Sequence, residues 1–161
     1  MRAENEVITM INCTFAGHKE VYLKDAELRI EAAILDLLEQ DESVCFYCGG
    51  IGAFDELCSR TVKRMKILRQ DKEIRLYLVI PYMMQRINKN KQELMSAYDE
   101  ILFPDQLSVC HYKRAIYERN KWMIDRCQIL ISYVVRPFGG AWKMYQYARE
   151  RELQIINLTD G

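Results

Sequence analysis

The sequence predicts an α/β protein with a Rossmann-like three-layer sandwich and a mostly parallel central sheet. Three observations carry that prediction. Apolar stretches of strand length, rich in Val, Ile and aromatic residues, recur at 7–14, 44–48, 74–80, 128–135 and 154–158. Between them lie segments whose apolar side chains repeat at helical spacing. Three strands stop at glycines: Gly17, the run Gly49-Gly50-Ile51-Gly52, and the pair Gly139-Gly140. Strands alternating with helices imply right-handed crossovers and a parallel sheet covered on both faces.

Taken in order, Val7 to Thr14 is the first strand, apolar enough to be buried on both faces. It runs into Phe15-Ala16-Gly17-His18-Lys19. Asp25 is placed to cap the first helix, with Leu28, Ala32, Leu35 and Leu38 on its inner face. Val44 to Cys48 is the second strand. After the glycine run a helix extends to about Arg69, with Phe54, Leu57, Cys58, Val62, Met65 and Leu68 on one face. Ile74 to Ile80 is the third strand, closed by Pro81. Tyr82 to Glu100 is more polar, carries Arg86-Ile-Asn-Lys-Asn-Lys91, and reads as a loop with one short helix. A long connection beyond a central strand is a common place for a lid. Glu100 to Phe103 is a short strand. Tyr112 to Arg126 is a helix with Ile116, Met123, Arg119 and Asn120 near one side. Gln128 to Val135 is a buried strand that leads through Arg136-Pro-Phe-Gly-Gly140 to a helix ending near Arg149, and Gln154 to Leu158 is the last strand.

A chain of 161 residues with 50% hydrophobic and 29% charged side chains predicts one globular domain over 1–161. Lys and Arg number 23 against 23 Asp and Glu, so the chain is neutral overall. Bulk nucleic-acid binding needs a basic excess, and nucleic acid is disfavoured as a partner on that ground. Lys63-Arg64-Met65-Lys66 reads as a solvated helix face. No apolar run reaches membrane-span length and the first residues lack a signal-peptide core, so a cytoplasmic protein without membrane contact is expected. Six cysteines then sit in a reducing compartment as free thiols. Cys45 and Cys48, three apart on a strand, point to opposite faces. A zinc site needs a second pair, which two distant histidines do not supply; neither a metal nor a cofactor is expected.

In a parallel sheet, ligands sit beyond the carboxyl ends of the strands, so the three glycine corners should rim one edge. A strand that breaks into glycines and opens a helix offers bare backbone N–H groups to a phosphate. It also serves simply as a tight turn. Asp55 stands in the first turn of its helix, where the dipole favours a carboxylate or where it can accept bonds from ribose hydroxyls. Arg119 either pairs with Glu118 or Asp125 or reaches a ligand phosphate. Asn120 bonds a base or ribose, or braces a loop. His18, at a strand end on the pocket rim, is either a structural hydrogen-bond partner or a working group; Arg136, at another strand end, faces the same pocket, whereas His111 has no such context. Phe15, Phe54 and Phe138 border the corners and either cover a base or seal the core, and Trp122 is read as packing.

Thr14-Phe-Ala-Gly-His18, Phe46-Tyr-Cys-Gly-Gly-Ile-Gly-Ala-Phe-Asp55, Arg119-Asn-Lys-Trp-Met-Ile-Asp125, Phe138-Gly-Gly-Ala-Trp142 and the stretch from Ala148 to Ile156 resemble the SLOG superfamily. This is the Rossmann-like group named after the DprA and lonely-guy proteins, and the likeness is to its small stand-alone bacterial branch. The resemblance implies a nucleotide or nucleotide-derived ligand, such as an ADP-ribose-type or cyclic nucleotide signal, and at least a homodimer. It implies contacts from Gly17, His18, Gly49, Gly50, Gly52, Asp55, Arg119, Asn120, Met123, Arg136, Gly139 and Gly140. Lonely-guy enzymes, which cleave a nucleoside monophosphate at its glycosidic bond, pair an arginine with G-G-x-G-T-x-x-E at the last corner. Here Arg119 and Met123 match, but Trp142 replaces the third glycine and Gln146 the glutamate. An amide cannot activate water or steady an oxocarbenium-like centre. The expected function is therefore binding without turnover, by sensing or sequestration. The alternative is a phosphoribohydrolase with Glu56, Asp55 or His18 as its working group. The DprA branch binds single-stranded DNA, for which a neutral chain is a poor candidate.

Overall fold

The structure, a computed structural model, describes residues 10–83 and 91–159. Its six strands are β1 (Ile11–Gly17), β2 (Ser43–Cys48), β3 (Glu73–Val79), β4 (Glu100–Leu102), β5 (Ile129–Tyr133) and β6 (Gln154–Asn157). The helices are α1 (Ala26–Gln40), α2 (Ala53–Leu68), α3 (Lys91–Ala97), α4 (Tyr112–Arg126) and α5 (Gly140–Glu150), with a 3-10 turn at Asp105–Leu107. The strands form one sheet in the order β4-β3-β2-β1-β5-β6, and every neighbouring pair is parallel. The mostly parallel sheet of the sequence reading is thus wholly parallel among the described residues. Of the connection from Tyr82 to Glu100, expected as a loop with one short helix and a place for a lid, residues 84–90 lie outside the described ones, and α3 is the short helix.

The chain moves outward from β1 through β2, β3 and β4, then returns to pair β5 on the other side of β1. The order therefore reverses between β1 and β5, and the crevice beyond their carboxyl ends is where sheets of this kind hold ligands. One apolar layer packs Ile30, Ile34, Leu37 and Leu38 of α1 and Phe54, Cys58, Val62 and Met65 of α2 on Cys13, Phe46, Leu76 and Ile131. The opposite layer packs Met123 and Ile124 of α4 and Met144 and Ala148 of α5 on Cys45, Tyr47, Val79 and Leu130. Cys45 and Cys48 do point to opposite faces, and the described cysteines are free. Burial pushes the Cys45 thiol up to about 12, as expected of a thiol that serves as a small hydrophobe.

Three local readings are corrected. The inner face of α1 is set by Ile30, Ile34, Leu37 and Leu38, while Leu28 and Ala32 are exposed. This helix carries two apolar stripes, and the one richer in large side chains wins the sheet. Leu68, the last residue of α2, is exposed as well. Asp25 occupies the N-cap position of α1, but its side chain makes no capping bond. Its carboxylate instead pairs with Arg29 one turn on, at 2.9 Å.

Candidate nucleotide site

A cleft of about 380 Å³ opens at the β1/β5 reversal. Gly17 and His18 after β1, Gly49 and Asp55 after β2, and Arg136 and Gly140 after β5 meet there, with Arg119, Asn120 and Met123 of α4 as one wall. Three predicted residues fall elsewhere. Gly50 and Gly52 face a second hollow on the far side of the corner, and Gly139 stands just outside the cleft. Lys19, Glu20, Ile51, Ile116, Ala141 and Met144 also line the cleft and were missed by sequence reasoning. Lys19 and Glu20 follow His18 directly, so their position in the loop was the available signal.

The corner after β2 is closed from both sides. The Asp55 carboxylate accepts the Gly49 N–H at 3.1 Å and the Gly50 N–H at 2.6 Å. A side-chain anion thus occupies the cradle expected to be open to a phosphate. Desolvation raises the Asp55 carboxyl above the usual range, opposed by the two glycine N–H bonds and the Arg119 charge. Below the corner lies Arg119, buried at 3% exposure. Its Nη1 donates to the carbonyls of Gly49 at 2.9 Å and Val79 at 2.7 Å, and its Nε donates to Asn120 Oδ1 at 2.9 Å. Arg119 therefore pairs with neither Glu118 nor Asp125; it ties the ends of β2 and β3 to α4. Nη2 makes no hydrogen bond among the described residues, and Arg119 lines the cleft. Asn120 braces the guanidinium.

The corner after β5 is open. Gly139 holds φ +93°, a conformation that glycine adopts at low cost, and no side chain caps α5. The N–H groups of Gly140, Ala141 and Trp142 have no partner among the described residues, and the first turn of α5 contains no acid. A Cβ built on Gly139 or Gly140 would meet nothing within 4 Å. In α2, by contrast, Asp55 and Glu56 fill the first turn and the Ala53 N–H is taken by the Lys19 carbonyl at 2.9 Å. Helix dipole and unpaired donors favour an anion at α5.

The remaining candidates sort by contact. His18 accepts the Val135 N–H at Nε2, 3.0 Å away, so its proton resides on Nδ1. Burial, then Arg136, lower its pKa. Both facts argue against Nε2 as a general base. Glu56 is exposed and faces away from the cleft, so it is out of place for hydrolysis there. Gly17 admits the Phe54 ring, since a Cβ would lie 2.2 Å from it. Phe15 and Phe54 seal the core, whereas Phe138 is 63% exposed with the Arg136 guanidinium 5.3 Å from its ring centre. Trp122 packs edge-on against Tyr47 and under Arg126, as expected.

No family model matches the chain, and no curated protein matches it. Solved structures do. DNA processing protein A (DprA) from Streptococcus pneumoniae superposes with a TM-score of 0.65 at 13% identity, covering 91% of this chain and 49% of that one. The chain shares the Rossmann-like three-layer fold of that protein. DprA from Helicobacter pylori follows at TM-score 0.62 and 12% identity, covering 91% of this chain and 64% of its own. The target TM1055 gives 0.54 and 12%, covering 91% and 72%. The chain thus spans about half the length of the pneumococcal protein and under two thirds of the other DprA.

The likeness corrects one expectation. The Helicobacter protein is described by its single-stranded DNA binding mode, so neutrality gives no ground for disfavouring a nucleic-acid partner in this fold. A net charge is a sum, and electrostatic attraction depends on distribution. Residues 105–161 carry nine Lys and Arg against six Asp and Glu, and residues 1–104 carry 14 against 17. The helices α4 and α5 belong to the basic part.

Proposed function

We propose that the chain binds a phosphate-bearing, nucleotide-derived ligand in the cleft at the β1/β5 reversal and does not turn it over. The observation that carries this reading is the uncapped N-terminus of α5, whose Gly140 and Ala141 border the cleft. Arg119 adds a buried cation to the lining, and its Nη2 has no hydrogen-bond partner among the described residues. Such donors suit the phosphate of a nucleotide, with Arg136 and Phe138 at the rim for the rest. Sensing or sequestration fits better than glycosidic cleavage. Glu56 faces away, Asp55 is held by glycine N–H groups, and Gln146 stands where the enzymes place a glutamate. We expect a cytoplasmic protein that works as a homodimer.

Isothermal titration with AMP, cyclic AMP and ADP-ribose tests binding, and chromatography of the same mixtures tests turnover. Saturable heat with intact nucleotide supports the proposal. Absence of heat from all three contradicts it, as does release of free base.

Single-stranded nucleic acid is a second reading, favoured by the basic α4–α5 face and by the Helicobacter likeness. On that face Lys121 lies 5.4 Å from the Tyr117 ring centre and 5.3 Å from that of Tyr147, with Lys143 5.9 Å from Tyr117. Cations among aromatic rings suit a backbone and its stacked bases. Fluorescence anisotropy of a thymidine oligomer at about 50 and about 200 mM salt tests it, since phosphate contacts weaken steeply with salt.

A further inference from the structure

Resting on the nucleotide reading above, a further inference concerns how many phosphates the cleft admits. We propose that Asp55 is a specificity-determining residue: its carboxylate is a built-in anion that closes the β2 corner, so the cleft takes ligands presenting one phosphate and rejects those presenting two in tandem. The two cradles at this edge differ in their occupants. At α5 the donors are unpaired among the described residues, whereas at β2 both glycine N–H groups already serve Asp55 at 3.1 and 2.6 Å. A second phosphate there would lose those donors and meet a carboxylate. Like charges that close, in a partly buried site, repel by several times what they would in water.

Asp55 has a second structural role that strengthens the inference. It is the wall common to the cleft and to the neighbouring hollow of about 420 Å³, whose charged lining also includes Lys63, Glu56 and Glu93. Removing its side chain vacates the cradle and joins the two spaces, with Lys63 beyond. Arg119 remains below the corner, bonded to the Gly49 carbonyl, and its charge is then no longer offset by the carboxylate. An emptied corner would therefore offer an anion the two N–H groups that Asp55 now holds, with Glu56 still in the first turn of α2.

The experiment compares inorganic phosphate and pyrophosphate, and AMP and ADP, against the intact chain and the Asp55→Ala and Asp55→Asn variants. The readout is displacement of a fluorescent AMP analogue. The intact chain should bind AMP about tenfold or more tighter than ADP. Asp55→Ala should raise the ratio of pyrophosphate to phosphate affinity by about tenfold, or ~1.4 kcal/mol. Asp55→Asn, which loses the charge but keeps the shape, should give a change in the same direction if the alanine variant does not fold. Tight AMP binding with an unchanged ratio in the variants overturns the role of Asp55 and leaves the nucleotide reading standing. Failure of the analogue to bind the intact chain overturns both.

Discussion

The guanidinium of Arg119 lies against Gly49, with Nη1 2.9 Å from the Gly49 carbonyl oxygen. A Cβ on Gly49 would stand 2.7 Å from Arg119 Cζ. Arg119 cannot swing aside cheaply, because Val79 and Asn120 hold it as well. Gly49→Ala should therefore destabilise the fold by about 2 kcal/mol, in the range of overpacked sites. Arg119→Lys keeps the charge but cannot span the three acceptors, and should cost about 2–3 kcal/mol. Urea unfolding checks both values. Near-neutral changes would mean that the stitch between β2 and β3 carries no stability.

Gly17 and Phe54 make a second tight pair. A Cβ at Gly17 would lie 2.2 Å from the ring, and Phe54 is 1% exposed, so it has no space to retreat into. Gly17→Ala should cost about 2–3 kcal/mol. Shrinking the ring in a Gly17→Ala, Phe54→Leu double variant should recover part of that loss, and a thermodynamic cycle over the four proteins measures the coupling. Additive effects would show that the two positions do not press on one another.

How much of this could be read from the residues depends on the scale of the interaction. The corners at Gly17, Gly49 and Gly140 converge because strand and helix periodicities fix where each strand ends, and a parallel sheet puts those ends on one edge. The occupant of the β2 corner was not legible. Whether Asp55 faces a ligand or turns back on Gly49 and Gly50 depends on the path of four loop residues, which no pattern encodes. The burial of Arg119 was hidden for a related reason: its partners Gly49 and Val79 are 70 and 40 positions away. The charge asymmetry between the two parts of the chain was open to counting but vanished in the total.

His18 gives the fold a pH dependence of known sign. Its folded pKa is lowered by burial and by Arg136, and protonating Nε2 would also break the bond from Val135. Between that lowered value and the unfolded value of about 6.5, the unfolded chain binds more protons, so stability is present above the window and is lost as pH falls through it. The unfolding midpoint should drop between about pH 7.5 and about pH 5.5. His18→Gln, which can still accept the Val135 N–H but does not titrate, should drop less. Parallel pH profiles for the two proteins would contradict the assignment.

The open cradle can be filled from within. Ala141→Asp places a carboxylate in the first turn of α5, which now has no acid. The helix dipole should make this change neutral or stabilising by about 0.3–1 kcal/mol. The same carboxylate should compete with a ligand phosphate and weaken AMP binding by more than about tenfold, or ~1.4 kcal/mol. Thermal melts and titration of one preparation separate the two effects. Equal loss of stability and binding would point to simple damage.

The most direct test of the account asks which backbone amides feel the phosphate. In a titration of the ¹⁵N-labelled chain with AMP followed by NMR, the N–H signals of Gly140 and Ala141 should shift strongly in saturable fashion. Those of Gly49 and Gly50, already bound to Asp55, should hold nearly still. Strong shifts at Gly49 and Gly50 with Gly140 and Ala141 unmoved would contradict it.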